Sequence, residues 1–220
     1  MTRHRPKKRI GRLHVIVNSD TGGRPSRSPI ELTERALEGG ADTIQYRNKG
    51  GSMRTMIEEG RAILHLCRTA GVPCIVNDRV DLCLAIDADG VHLGRDDMPL
   101  PIARQILGHA KVIGATVRDL AQLKIAEEES ADYVGLGPIF PTSTKELPVE
   151  PFGLSRVREV SRGAEIPVIG IAGITLENCR SVIEAGAYGL AVIGAVATAD
   201  DPSGTVRMFH HAIMDGNLRA

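Results

Sequence analysis

Residues 75–99 read IVNDRVDLCLAIDADGVHLGRDDMP. Two short apolar runs, Ile75-Val76 and Val91-His92-Leu93, have the character of buried strands. Each runs straight into carboxylates: Asp78 after the first, Asp96 and Asp97 after the second. Between them, Val80, Leu82, Leu84, Ala85 and Ile86 suit a short helix with one apolar side. A strand–helix–strand unit this short makes its strands parallel, because a parallel pair needs a crossover. Parallel strands end on the same side of a sheet. Asp78 and Asp97, 97 − 78 = 19 positions apart, are therefore expected close together at one rim. Carboxylates gathered at strand ends are costly unless a cation or a cationic substrate neutralises them.

Outward from this stretch a pattern recurs. GADTIQYR, DADGVHLG, SADYVGLG and GAYGLAVIG begin at Gly40, Asp87, Ser130 and Gly186. Each sets a small residue and Ala after an amphipathic helix, then a β-rich run ending at Gly or a charge. Further strands fall between them, at Leu13–Val17, Val72–Asn77, Val112–Thr116 and Pro167–Ala172. Helical periodicity separates the strands, as at Ile30–Glu38, Met53–Thr69, Ile102–Leu107, Leu120–Glu128, Leu154–Val160, Leu176–Glu184 and Ser203–Met214. Eight strands alternating with eight helices give either a doubly wound sheet or a closed barrel. The fourfold recurrence favours a single (β/α)8 TIM barrel. A dinucleotide-binding fold would carry GxGxxG after its first strand, and the loop at Ser19–Gly23 does not fit that. Residues 1–10 are expected to form a basic, disordered tail and residues 11–220 the barrel domain.

Composition narrows the function classes. Lys+Arg and Asp+Glu are both 27, so nothing favours a polyanion partner. Trp is absent and aromatics are 3%, which argues against a base-stacking nucleic-acid surface. No apolar run approaches a membrane span, and the start lacks the apolar core of a secretory signal. Cys67, Cys74, Cys83 and Cys179 have no CxxC spacing, and buried free thiols in a reducing cytoplasm are expected.

In a barrel of this kind the site lies at the C-terminal rim. Gln45, Arg47 and Lys49 alternate at the end of the second strand and share one face, a pocket for an anion. Asn77 and Asp78 end the third strand, Asp96 and Asp97 the fourth. Carboxylates without a thiol or imidazole pair suit Mg2+ more than zinc. His92 is expected to be a satisfied core histidine, and one of Asp96 and Asp97 could be a helix N-cap. The sixth strand ends in GLGPIFPTSTKE, where Thr142, Ser143 and Thr144 can donate to phosphate oxygens and Lys145 adds a charge. Gly173 and Gly194 follow the seventh and eighth strands, each expected before helical sequence, with Thr175 opening the first of these helices. There their backbone N–H groups can approach a phosphate. A metal beside several cations suits a diphosphate, and a separate cup suits a monophosphate. Two phosphorylated small-molecule substrates, one a diphosphate on Mg2+, imply a transferase that releases pyrophosphate.

QYRNK, VNDRVDLCLAIDADGVHLGRDDMP, GPIFPTSTKE and AGIT resemble the thiamine phosphate synthase family, from about Leu13 to Ala197. The family joins a hydroxymethylpyrimidine diphosphate to a thiazole phosphate, by a dissociative, carbocation-like substitution. The resemblance implies that Gln45, Arg47, Lys49, Asn77, Thr116 and Lys145 hold the pyrimidine diphosphate. Thr142, Ser143, Thr144, Gly173, Ile193 and Gly194 would hold the thiazole phosphate. Asp78 and Asp97, rather than Asp96, would bind Mg2+. A cytoplasmic enzyme follows, with homo-oligomerisation left open. Four departures stand out: Thr116 for the family's Ser, Arg118 for His, Ala172 for Gly and Gly194 for Ser. They are expected to cluster on the thiazole half. Rival readings are a thiazole tautomerase of the same fold, which needs no diphosphate or metal set, and a non-catalytic thiamine-precursor-binding protein.

Overall fold

The computed structural model describes residues 10–18, 27–142 and 150–216. Most of the expected basic tail, residues 1–9, lies outside them, as does part of the first loop, 19–26. Eight parallel strands form one closed barrel in chain order. They are β1 (Leu13–Asn18), β2 (Thr43–Arg47), β3 (Cys74–Asn77), β4 (Gly90–Leu93), β5 (Val112–Val117), β6 (Tyr133–Leu136), β7 (Val168–Ile171) and β8 (Gly189–Val192). β8 pairs back onto β1, with Leu190 opposite Leu13 and Val192 opposite Val15. No described helix is long and apolar enough to cross a membrane.

Period-two alternation sorts the strand side chains. In β1, Leu13, Val15 and Val17 pack outward under the helices, while His14, Ile16 and Asn18 face the interior. Every strand repeats this choice. The outer set builds the main core; Ile16, Ile75, Val112, Tyr133, Ile169 and Ala191 make a smaller cluster inside the barrel. Burying each large aliphatic side chain is worth roughly 2 kcal/mol. All four cysteines are free and buried, as expected.

The sequence repeat has a mechanical counterpart at the N-terminal end of the barrel. Asp42 accepts from the Leu13 N–H (3.1 Å), Asp89 from Cys74 (2.8 Å) and Asp132 from Ile113 (2.8 Å). In three of the four units, then, the Asp just before an even strand bonds the preceding odd strand. In the fourth unit Tyr188 stands there instead, and its hydroxyl donates to the Ile10 carbonyl. Asp132 also pairs with Arg104 at 2.7 Å, with side chains only 12% and 8% exposed. Arg104 donates further to the carbonyls of Gly108, Lys111 and Ser130.

Two helix expectations need correction. The helix after β7 is α7 (Cys179–Glu184) and does not open at Thr175 or Leu176. Asn178 Oδ1 accepts from Thr175 N–H while its Nδ2 donates to the Gly173 carbonyl, so a side-chain turn holds the segment out of helix. The described helices number nine rather than eight. A short α8 (Gly194–Ala197) directly follows β8, ahead of α9 (Pro202–Gly216).

Breaking the Asp132–Arg104 pair leaves a buried guanidinium with its carbonyl partners but without its counter-charge. Asp132→Ala should cost about 3 kcal/mol of unfolding free energy. Asp87→Asn, which keeps a residue type that tolerates φ +60° and removes exposed pairs to Arg68 and Lys111, should cost much less. Urea titration of both variants checks the contrast; equal losses would contradict it.

Candidate active site

The interior opens at the C-terminal rim into a cavity of about 550 Å³. β2 supplies its anionophilic wall. Gln45 is 3% exposed and sits level with Ile16 and Ile75. Arg47 sits level with Asn18 and donates to its Oδ1 at 3.1 Å. Lys49 lies just past the strand and pairs with Asp78 at 3.0 Å. The turn between them is held by Asn48, whose Oδ1 accepts from the N–H groups of Gly50 and Gly51.

Asn77 ends β3 level with His92. The next residue, Asp78, has φ +65°, a left-handed conformation that Asp adopts more readily than most residues. Its N–H donates to the His92 carbonyl at 2.8 Å, which fixes the turn on β4. Asp97 Oδ2 accepts from the Gly94 N–H at 2.7 Å. Burial raises the Asp97 pKa; the neighbouring Asp78 carboxylate raises it further, against the Gly94 N–H and Lys49. The two carboxylates therefore feel one another. Asp96 is 92% exposed and pairs loosely with Arg95 at 3.6 Å. Neither carboxylate caps the next helix, α4 (Leu100–Leu107): its N-cap is Pro99, with no side-chain bond.

The remaining wall comes from β5 to β8. Thr116 and Arg118 face the cavity from β5 and its end. β5 lies beside β4, which carries the Asp97 loop, so Thr116 and Arg118 stand next to the carboxylate wall. Thr142 lines the cavity, whereas Ser143, Thr144 and Lys145 lie outside the described residues. Gly173, Ile193 and Gly194 line the opposite side. Gly173 has φ +68°, and a Cβ there would collide with the Pro141 carbonyl and stand 2.7 Å from Phe140 Cβ. Glycine thus lets the loops after β6 and β7 meet. Ala172 carries a side chain at φ +75°, where the family's glycine would be unstrained.

Three polar rings or hydroxyls lie beneath these residues. His92 Nδ1 is 3.0 Å from the Tyr133 hydroxyl and Nε2 is 3.0 Å from Thr116 Oγ1. His92 is thus a satisfied histidine, as expected, although it also lines the cavity. His14, absent from the sequence reading, packs its ring 5.4 Å from Tyr133 and donates through Nε2 to the Gly11 carbonyl at 3.0 Å. Tyr133 was absent as well. The available signal was alternation: positions 14, 16 and 18 share the inward face, so a polar His14 there belongs to the interior.

This donor set decides which cation fits. Both His92 nitrogens are engaged, so beside Asp78 and Asp97 the described residues offer carboxylate oxygen as ligand. No group of three or more His, Cys, Asp or Glu among the described residues could hold a metal by itself. Two carboxylates with substrate oxygens and water match Mg2+ habits beside phosphates.

A family profile described as thiamine monophosphate synthase matches residues 13–196. The chain belongs to the thiamine monophosphate synthase family. Members of this family are transferases. A thiamine-phosphate synthase of Salinibacter ruber is 44% identical over 98% of this chain and 93% of its own length. That of Roseiflexus castenholzii is 46% identical over 90% and 86%. The solved thiamine phosphate pyrophosphorylase of Pyrococcus furiosus superposes with a TM-score of 0.84, at 37% identity, over 93% of this chain and 96% of that one. The family match thus spans both walls of the cavity.

Burial lowers the His14 pKa from 6.5 to about 4, and lowers that of His92 to about 4 against the pull of Asp78. His92 keeps part of its surface on the cavity, yet lies deep enough for burial to dominate. A histidine held neutral stabilises the fold fully above the unfolded value of 6.5. That stability is lost as pH falls toward about 4, at roughly 1.4 kcal/mol per pH unit for each ring. Urea midpoints measured from pH 7 to 4.5 should fall along this slope, and His14→Gln should remove about half of it. An unaltered slope in that variant would contradict the assignment.

Proposed function

We propose that this chain joins 4-amino-2-methyl-5-hydroxymethylpyrimidine diphosphate to 4-methyl-5-(2-hydroxyethyl)thiazole phosphate, giving thiamine phosphate and pyrophosphate. One observation carries the reading. A single cavity brings the cationic and carboxylate wall of β2 to β4 to face the glycine-lined wall of β7 and β8. Family membership supports it independently.

The site suits a substitution in which the protein contributes no covalent bond. The bond from the pyrimidine methylene carbon to the diphosphate oxygen breaks, and its electron pair leaves with the diphosphate. The thiazole nitrogen lone pair forms the new C–N bond, and no proton needs to move. The dissociative order, with bond breaking ahead of bond making, suits a site that favours charge on the leaving group. Arg47 and Lys49 would hold that charge, with Lys145 joining them from the loop after β6. Asn77, Gln45 and Thr116 would orient the pyrimidine. Asp78 and Asp97 would hold Mg2+, which when bound neutralises charge gathering on the leaving diphosphate. Thr142, Gly173, Ile193 and Gly194 would hold the thiazole phosphate beside the short α8, the usual phosphate position in this fold. Ser143 and Thr144 would complete that cup. His14 and His92 are neutral at physiological pH and both His92 nitrogens are occupied, which suits a reaction without a general base.

Pyrophosphate release by the purified chain tests the proposal. Release is expected only with both precursors and Mg2+ together. Asp78→Asn keeps a residue type that tolerates φ +65°; it should lower kcat at least about 100-fold and leave the thermal midpoint nearly unchanged. Binding of both precursors without turnover under any divalent cation would make the chain a binding protein instead.

A further inference from the structure

The line of polar groups under the cavity takes no part in the bond changes proposed above. Tyr133, His92 and Thr116 come from three adjacent strands, β6, β4 and β5. His92 and Tyr133 meet across β5 because Gly114 lies level with both. A Cβ at Gly114 would run into the Tyr133 ring and stand 2.6 Å from His92 Nδ1. The absence of a side chain there is what allows the 3.0 Å contact between the two.

Elementary chemistry gives this line a direction. A neutral imidazole carries one N–H and one lone pair. A phenol is a far stronger donor than an alkyl hydroxyl, so Tyr133 O–H donates to Nδ1 and the Nε2–H donates to Thr116 Oγ1. The Thr116 hydroxyl has no other hydrogen bond among the described residues, and its own proton is left for the cavity. At the other end, the Tyr133 hydroxyl commits its proton to the bond with His92, so its oxygen can only accept further bonds. Burial raises the Tyr133 pKa, so the phenol keeps its proton.

We propose that Tyr133 and His92 are positioning residues that fix the Thr116 hydroxyl as a donor on the cavity floor, and thereby select a 4-aminopyrimidine over its 4-oxo counterpart. The amino compound offers an N–H donor beside a ring nitrogen that accepts. The oxo compound offers the reverse, a carbonyl beside a ring N–H. The inference rests on the pyrimidine diphosphate reading of this site.

Two measurements test it. Long-range 1H–15N NMR of the wild-type chain should show His92 as the neutral Nε2–H tautomer at pH 7; the Nδ1–H tautomer would overturn the proposal. Steady-state kinetics should then compare kcat/KM for the 4-amino diphosphate and its 4-oxo analogue, each with the thiazole phosphate. Tyr133→Phe keeps the ring but frees His92 to reverse, and the amino-to-oxo ratio should fall at least about tenfold. An unchanged ratio in a folded Tyr133→Phe would also overturn it. Should that variant not fold, the wild-type tautomer decides alone. A wild-type chain that turns over neither pyrimidine removes the reading of the site and this selectivity with it. An Nδ1–H ring beside normal turnover removes only the present inference.

Discussion

The pairing of β8 back onto β1 is the constraint on which everything else depends. An open sheet of the same strands would place helices on two faces and leave edges exposed. Closure makes the inside of the barrel a narrow space reached by alternate residues of all eight strands. It also sends all eight C-terminal ends to one rim. Carboxylates from β3 and β4, cations from β2 and glycines from β7 and β8 then share one cavity, although they span residues 45–194 of the chain. The same closure forces polar side chains that point inward to satisfy one another, since little water reaches them. His14, Tyr133, His92 and Thr116 are that obligation met.

Strands and most helices were legible because each rests on a local pattern. Short apolar runs, a period near 3.6 between them and a recurring small-Ala pair are all visible without the fold. The rim carboxylates were legible for the same reason: a strand–helix–strand unit of this length has one sensible geometry. What escaped depended on atoms distant in sequence. The start of α7 was set by Asn178 reaching both Thr175 and Gly173, not by periodicity. The interest of Tyr133 lies in a partner 41 residues away, reached over a glycine. Nothing in YVGL distinguishes an inward tyrosine that holds a histidine from one that merely fills space. The choice of Asp97 over Asp96 came from resemblance. Their surroundings differ clearly: Asp97 is held by the Gly94 N–H, and Asp96 stands in solvent.

The four departures from the family pattern have different physical weights. Ala172 places a methyl group at φ +75°, a backbone cost of roughly 1 kcal/mol that glycine would not carry. Thr116 keeps the hydroxyl that His92 addresses, so its added methyl alters shape more than polarity. Arg118 brings a cation to the cavity from the strand between the Asp97 loop and the loop bearing Thr142. Gly194 gives up a hydroxyl but still opens α8, where its carbonyl accepts from Thr198.

The aspartates at the opposite end of the barrel carry a further consequence. Parallel strands built from similar units can slide past one another, and a slip of one residue turns every inward side chain outward. Asp42, Asp89 and Asp132 each reach one particular N–H of the preceding strand, so a slipped pairing would leave a carboxylate without its donor. They act as keys that reject wrong registers from the end farthest from the cavity. The fourth unit has Tyr188 in place of a key. The alignment of β7 with β8, which sets the spacing of Gly173 and Gly194, has no such key and rests on the backbone ladder, with the Tyr188 N–H on the Val168 carbonyl, and on side-chain packing.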